Sequence, residues 1–157
     1  MGKKQQTFYQ VKIIVDANII FSGILNSNGK IGDLLINSKN QFDFIAPDFL
    51  RAEIRKHYSK LCSISKLKLD QIQESEFQLY NNITFISEEQ IKKSHWISSH
   101  KLVSDIDPND IPYIAYSKQF RCKLWSGDKV LIKGLLKKEF KNIITTDELF
   151  KLRNSLI

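Results

Sequence analysis

Several features of secreted, membrane-bound or low-complexity proteins are scarce or missing in this sequence. Its 157 residues include only 2 cysteines, 3 prolines and 6 glycines, too few for a disulfide scaffold, a collagen-like repeat or a disordered Pro/Gly-rich chain. No hydrophobic run approaches the roughly 20 residues that a membrane helix needs, and the N-terminal segment lacks the apolar stretch of a secretory signal. We therefore expect a cytoplasmic protein with reduced cysteines and no membrane association.

The composition is that of one ordinary globular domain. Hydrophobic residues make up 42% of the chain and charged residues 26%, both near the averages for soluble proteins. A chain of this length can bury a core without metal or disulfide staples. Because the sequence has no internal repeat and no linker-like stretch, we expect a single domain over 1–157, with a flexible N-terminus over 1–10.

Positive charge exceeds negative charge in this chain. It has 24 lysines and arginines against 17 aspartates and glutamates, a net charge of +7, which favours a polyanionic partner and nucleic acid before membrane. The segment 118–141 is especially basic, and two interpretations are open: a helix face exposed to solvent, or a surface that binds phosphates beside an active site. In the second interpretation the phosphate contacts are Arg121, Lys123, Lys129 and Lys133.

Short apolar runs alternate with amphipathic segments along the chain. The run Val11–Val15 is almost continuously apolar, which is typical of a strand buried on both faces of a parallel sheet. Further strands are predicted at 42–46, 83–86, 122–125 and 142–144. Helices are predicted at 18–25, 30–36, 48–61, 65–80, after Ser87, from about 110 to 120, at 129–136 and from Thr145 to 152. This alternation predicts an α/β sandwich in which helices cover a parallel sheet.

Acidic residues recur where the predicted strands end. Asp16 follows the first strand, Asp48 and Glu53 follow the second, and Asp128 follows the fourth. Ligand sites of parallel sheets lie at the carboxyl ends of the strands, so these side chains are expected at one edge. Carboxylates brought together repel one another unless a cation lies among them, and oxygen ligands suit Mg²⁺ or Mn²⁺ better than zinc.

Helix capping is an alternative role for several of these acids. Asp128 could cap the helix that follows it, and Asp48 could do the same in its own segment. The pair Asp107-Pro108 also resembles a capping segment, with proline at the first helical position, and places Asp110 at the positive end of a helix dipole.

Glu53 and Asp16 are harder to explain as caps. Glu53 borders the apolar face of its helix, where the alternative is a structural salt bridge with Arg55 or a distant lysine. Asp16 ends a fully apolar strand and has no such explanation. Thr145 and Glu148 form the pattern of an ordinary capping box, to which we assign no chemistry.

Four segments in order resemble the motifs of PIN-domain ribonucleases. They are Ile13–Gly23 around Asp16, Ala46–Ile54 around Glu53, Asp107–Ala115 around Asp110, and Leu124–Leu131 around Asp128. The resemblance is closest to bacterial stand-alone PIN proteins, among them the VapC-type toxins of toxin–antitoxin pairs. It implies a three-layer α/β/α sandwich with a central parallel sheet. Residues 60–100 match no motif, and in the family this middle region varies and shapes the substrate groove.

Carried over residue by residue, the resemblance also implies the site and the activity. The catalytic residues and metal ligands for Mg²⁺ or Mn²⁺ are Asp16, Glu53, Asp110 and Asp128, with Asp107 as a further candidate ligand. Asn18 and Ser126 match small polar positions that orient the carboxylates. The implied function is a metal-dependent endoribonuclease that hydrolyses RNA, with a cognate antitoxin protein as a candidate partner. A homodimer would suit the aliphatic residues between Ile19 and Leu35, which we expect to be exposed.

Two other functions stay open at this point. One is a catalytically silent PIN-like module that binds RNA or protein, although the presence of all four expected acids argues against it. The other is an unrelated α/β enzyme, such as a phosphatase that uses Asp16 as its nucleophile. Such phosphatases usually place a second aspartate two residues later, where this chain has Asn18.

Overall fold

Five parallel strands form the centre of the computed structural model, which describes residues 9–157. Their spatial order is β3-β2-β1-β4-β5. The strands are β1 (Val11–Val15), β2 (Phe42–Pro47), β3 (Ile83–Ile86), β4 (Lys123–Trp125) and β5 (Ile143–Ile144). The predicted flexible N-terminus lies, for residues 1–8, outside the described residues.

The central strand β1 is buried on both faces over residues 13–15, as its apolar run predicts, while Val11 and Lys12 at its start are exposed. Ile14 pairs with Ile45 of β2 on one side and with Leu124 of β4 on the other, and its side chain is fully buried. Trp125, at the end of β4, is also fully buried, with its ring centroid 5.7 Å from that of Phe44. It belongs to the core and is not exposed for base stacking.

Helices cover the sheet and complete a three-layer α/β/α fold. They are α1 (Ala17–Leu25), α2 (Lys30–Asn37), α3 (Leu50–Lys56), α4 (Tyr58–Ser65), α5 (Leu69–Tyr80), α6 (Lys93–Val103), α7 (Ile111–Phe120), α8 (Lys129–Lys137) and α9 (Thr146–Ser155). Helix α7 packs on β1, β2 and β4 beneath α6, while α1 packs against α2, α3, α4 and α5. Two 3-10 turns, Glu88–Gln90 and Pro108–Asp110, precede α6 and α7.

Three of the predicted helices differ from the observed ones. Ser87, predicted to cap a helix, caps only the 3-10 turn Glu88–Gln90, and α6 begins separately at Lys93. The helix expected over 48–61 is divided into α3 and α4, because the His57 N–H bonds to the Ile54 carbonyl at 2.9 Å and turns the chain. The helix expected over 65–80 begins only at Leu69. Lys66 adopts a left-handed conformation with φ of 59° and terminates α4.

The prediction that the aliphatic residues from Ile19 to Leu35 are exposed is wrong. Ile19, Ile20 and Ile24 of α1 are buried, as are Leu34 and Leu35 of α2, because both helices turn their apolar faces to the core. Phe21, Leu25 and Ile31 are partly buried against the same core. Within residues 9–157, none of the helices combines the length and apolar character that spanning a bilayer requires.

Candidate metal centre

Asp16 ends β1 and begins α1. One carboxylate oxygen, Oδ1, accepts the Ile19 N–H at 2.9 Å and so caps the helix. The side chain is only 2% exposed. Its second oxygen, Oδ2, is buried and has no hydrogen-bond partner among the described residues. A buried carboxylate oxygen without a partner is costly, which makes Asp16 unusual for a residue that only caps a helix.

Asp128 follows β4 and reaches the same edge of the sheet. Its Oδ1 accepts the N–H groups of Val130 at 3.0 Å and Leu131 at 3.1 Å, which confirms the capping role that we left open for it. Capping occupies one oxygen and leaves the other free. Carboxylate oxygens of Asp107, Asp110 and Asp128 lie within 4.8 Å of one another, so the cap also belongs to a cluster of acids.

The turn before α7 supplies two more carboxylates. Asp107 accepts the Asn109 N–H at 3.0 Å, so its predicted capping role is confirmed as well. Asp110 is 8% exposed, and its Oδ2 atom, like that of Asp16, is buried without a partner among the described residues. The two side chains therefore differ: one stabilises the turn, and the other points a free oxygen into the cluster.

Glu53 comes from α3 on the opposite wall. It lines a cavity of about 340 Å³ together with Asp16, Asp107 and Asp110. It forms no ion pair within the described part of the chain, so the structure does not show the salt bridge considered as its alternative role. Asp48, by contrast, pairs with Arg51 at 3.7 Å on the exposed surface, makes no helix-capping hydrogen bond, and does not line this cavity.

Burial and mutual repulsion make these carboxyl groups hard to ionise. Burial raises the pKa of Asp16 to about 6, and the charge of Asp128 adds to the rise. The pKa of Asp110 rises to about 7, through burial and then through the charges of the other acids. Burial also raises the pKa of Glu53, which nearby Lys56 and His57 partly offset. The site thus holds its negative charge at a free-energy cost.

A divalent cation would remove that cost. The donor set consists of oxygen atoms only, two of them buried and without partners, and hard cations such as Mg²⁺ and Mn²⁺ prefer such ligands over zinc, which favours nitrogen and sulfur. A bound cation would satisfy the buried Asp16 and Asp110 oxygens and neutralise the repulsion between the acids. The residues present therefore fit a metal site of this kind.

Ser126 lies between two of the acids, where the sequence predicts an orienting residue. Its Oγ accepts the Asp128 N–H at 3.1 Å, and its side chain lowers the pKa of the Asp16 carboxyl. We expect Ser126→Ala to reduce the free energy of unfolding by about 1–2 kcal/mol, because it leaves the partly buried Asp128 N–H without this partner. Urea unfolding beside Ser63→Ala, an exposed serine on α4, tests this. Equal stability of the two variants would contradict the role.

Five further residues line the cavity that we did not predict as site residues: Ala17, Lys56, His57, Asn109 and Tyr113. Helical spacing was the available signal. Lys56 and His57 lie three and four residues after Glu53, and Tyr113 lies three residues after Asp110. Residues at such intervals share a face of a helix, so each projects toward the same space as its acid.

The predicted phosphate contacts fall in two places. Lys129 and Lys133 lie on α8, directly after Asp128, beside Ile132 and Leu136. Arg121 and Lys123 line a separate cavity with Gln10–Ile13, at the amino ends of β1 and β4. A five-residue strand spans roughly 16 Å, so the structure does not bring this second pair together with the carboxylates. Asn18 lines both the acidic cavity and a neighbouring one of about 380 Å³.

Fold and site together define an α/β/α domain with an acidic pocket at the carboxyl edge of a parallel sheet. The family model described as the PIN domain matches residues 14–148, and the chain belongs to the PIN-domain family. PIN domains are generally nucleases, so the family places the chain among nuclease-type hydrolases. No curated protein matches the sequence significantly.

A solved structure supports the fold. The chain is similar to one in the crystal structure of VapBC2 from Rickettsia felis bound to a DNA fragment from their promoter, with a TM-score of 0.59 and 15% sequence identity. The alignment covers 86% of this chain and 97% of that one. At this identity the similarity establishes the shared three-layer fold, as the sequence motifs implied.

Proposed function

We propose that this protein is a metal-dependent endoribonuclease that hydrolyses RNA phosphodiester bonds at the acidic pocket. One observation carries the proposal: the charges of Asp16, Glu53, Asp107 and Asp128 all act on Asp110, and Asp16 and Asp110 each keep a buried oxygen without a partner among the described residues. A purely structural role would not offset the free-energy cost of burying these unpartnered oxygens. A role in nuclease chemistry would account for it, because carboxylates are needed to hold the cations that bind the phosphate oxygens.

Each residue has a separate task in the proposed reaction. Asp16, Glu53, Asp110 and Asp128 would hold Mg²⁺ or Mn²⁺, which when bound supplies a water of lowered pKa and neutralises charge on the phosphate. Asp107 is a further candidate ligand. Lys56 carries positive charge at the wall beside Glu53 and attracts the RNA backbone toward an otherwise acidic pocket. The exposed amide of Asn18, at the junction of two cavities, can donate to a phosphate oxygen.

The positively charged surface outside the pocket supports RNA as the substrate class. With a net charge of +7, the protein attracts polyanions although its pocket alone would repel them. Lys129 and Lys133 follow Asp128 on α8, so an RNA strand that leaves the pocket on this side would pass them. Contacts from Arg121 and Lys123, at the far edge of the sheet, would require RNA that extends well beyond the cleaved bond.

A partner protein is the second part of the proposal. The VapBC2 structure contains a toxin–antitoxin pair, which supports the hypothesis that this chain is the toxin of such a pair and is inhibited by an antitoxin. Purifying the chain with the product of the neighbouring open reading frame tests this. We expect a stable complex that does not cleave RNA, and the absence of a complex would contradict the toxin hypothesis without affecting the nuclease hypothesis.

Cleavage of single-stranded RNA by the purified protein tests the nuclease activity. We expect cleavage with Mg²⁺ or Mn²⁺, none with EDTA, and a loss of at least about 100-fold in Asp110→Asn, since losing even a partner of a metal ligand costs 10- to 100-fold. The matched control is Asp105→Asn, from the same loop, whose side chain is exposed and pairs with Lys138. Equal activity of Asp110→Asn and wild type would identify a contaminating nuclease and contradict the proposal.

A further inference from the structure

Tyr113 is a buried residue that lines the acidic pocket, and its hydroxyl makes no hydrogen bond to the described residues. It lies in the first turn of α7, three residues after Asp110, and is 4% exposed. Its ring packs edge-on against Phe49 with centroids 6.0 Å apart. The hydroxyl has no hydrogen-bond partner among the described residues, although buried tyrosine hydroxyls usually find one.

The surroundings of this hydroxyl are acidic, yet it donates to none of the acids. Burial and the charges of Glu53, Asp16 and Asp110 raise the pKa of Tyr113, so the phenol stays protonated and remains a donor. The Ala17 N–H faces the phenolic oxygen and slightly offsets this rise, without forming a hydrogen bond of normal geometry. The O–H proton therefore has no acceptor among the described residues, and the Tyr113 side chain lines the cavity in which a group from outside the protein would bind.

We propose that the Tyr113 hydroxyl donates a hydrogen bond to a non-bridging oxygen of the phosphate that is cleaved. This inference rests on the proposed nuclease function and adds a residue that contacts the substrate. A neutral donor suits this position because it binds an anionic oxygen without competing for the carboxylates, as a lysine would. No proton leaves Tyr113, and its role is to position the phosphate and stabilise its charge, which hydrogen bonds aimed at a reacting group do effectively in buried sites.

The same helix provides a matched control. Tyr116 is also buried and lies one turn further along α7, but its hydroxyl donates to the Ile86 carbonyl at 2.7 Å. Removing this hydroxyl breaks a hydrogen bond that stabilises the fold, whereas removing that of Tyr113 breaks none. The variants Tyr113→Phe and Tyr116→Phe therefore make the same chemical change with opposite expected consequences for stability and activity.

The test compares the two variants with wild type by three measurements: thermal unfolding in EDTA, Mn²⁺ binding by calorimetry, and single-turnover cleavage of a fluorescein-labelled single-stranded RNA with Mn²⁺. For Tyr113→Phe we expect a melting temperature equal to or above that of wild type, Mn²⁺ affinity within about threefold, and cleavage slowed about 10- to 100-fold. For Tyr116→Phe we expect a melting temperature lower by about 2–4 °C and cleavage within about threefold.

Two of the remaining outcomes overturn the inference, and a third is decided by a binding measurement. Cleavage by Tyr113→Phe within threefold of wild type would show that the hydroxyl does not contact the phosphate. A parallel loss of Mn²⁺ affinity would show that it orients a carboxylate instead. If wild type cleaves nothing, the nuclease proposal fails, and the affinity of the same RNA with Ca²⁺, measured by fluorescence anisotropy, decides: weaker binding by Tyr113→Phe supports the contact, and equal or absent binding refutes it.

Discussion

Replacing Asp16 by asparagine should inactivate the protein and at the same time stabilise it in the absence of metal. RNA cleavage should fall at least about 100-fold, because one of the proposed metal ligands is lost. The rise in the pKa of Asp16 from 3.8 to about 6 corresponds to about 3 kcal/mol of stability that ionised Asp16 removes from the folded state. Asparagine is as good a helix cap as aspartate, so the Ile19 hydrogen bond is retained.

Urea unfolding at pH 7.5 in EDTA measures the effect on stability, with Asp33→Asn as the control. Hydrogen bonds from Arg153 and Asn37 lower the pKa of Asp33, and Arg153 bonds to it at 2.8 Å, so Asp33→Asn should destabilise the fold. For Asp16→Asn we expect the free energy of unfolding to increase by about 1–3 kcal/mol. The upper value is the stability that the raised pKa of Asp16 removes from the wild type. A loss of stability in both variants would mean that Asp16 is an ordinary structural residue.

The metal-free protein should also lose stability as the pH rises from about 4 to about 7. Asp16 and Asp110 have folded-state pKa values of about 6 and about 7 against an ordinary value of 3.8. Below pH 3.8 each is protonated in both the folded and unfolded states and costs nothing. As the pH rises through the folded-state values, ionisation is favoured in the unfolded chain, and the free energy of unfolding falls.

A divalent cation should reverse this loss. At pH 7.5 a cation at 100 times its dissociation constant adds about 2.7 kcal/mol to the free energy of unfolding, whereas at pH 4 the protonated site binds it poorly. Urea unfolding across this range, with EDTA or Mn²⁺, measures both effects. The double variant Asp16→Asn/Asp110→Asn isolates them, because groups elsewhere titrate equally in both proteins. Identical pH profiles for the double variant and wild type would contradict the assignment.

The sequence contains most of the information about the fold. The nearly continuous apolar run at Val11–Val15 predicted a strand buried on both faces, which holds for Ile13, Ile14 and Val15. Five apolar runs separated by helical segments predicted the parallel sheet. The positions of helix ends were less predictable. No glycine or proline in the sequence marks the break at His57 or the left-handed Lys66. These turns are terminated by local hydrogen bonds to the Ile54 and Cys62 carbonyls, which the sequence does not reveal.

The candidate site was predictable where strand ends determine it. Asp16 and Asp128 follow adjacent parallel strands, so topology alone places them at one edge. Capping and clustering looked like alternatives in the sequence, yet Asp128 does both with different oxygens. Tyr113 was not predicted as a site residue, because an isolated tyrosine in a helix usually belongs to the core, and only the packing of α7 shows that its hydroxyl has no partner among the described residues.

The central claim is that the carboxylates of Asp16, Glu53, Asp110 and Asp128 form one site for a divalent cation. Calorimetric titration of Mn²⁺ into wild type and Asp16→Asn at pH 7.5 tests it directly, without depending on the choice of RNA. We predict saturable binding to wild type, accompanied by proton release, and affinity at least about 100-fold weaker in the variant. Equal Mn²⁺ binding by the two proteins, or no binding by wild type, would contradict the claim.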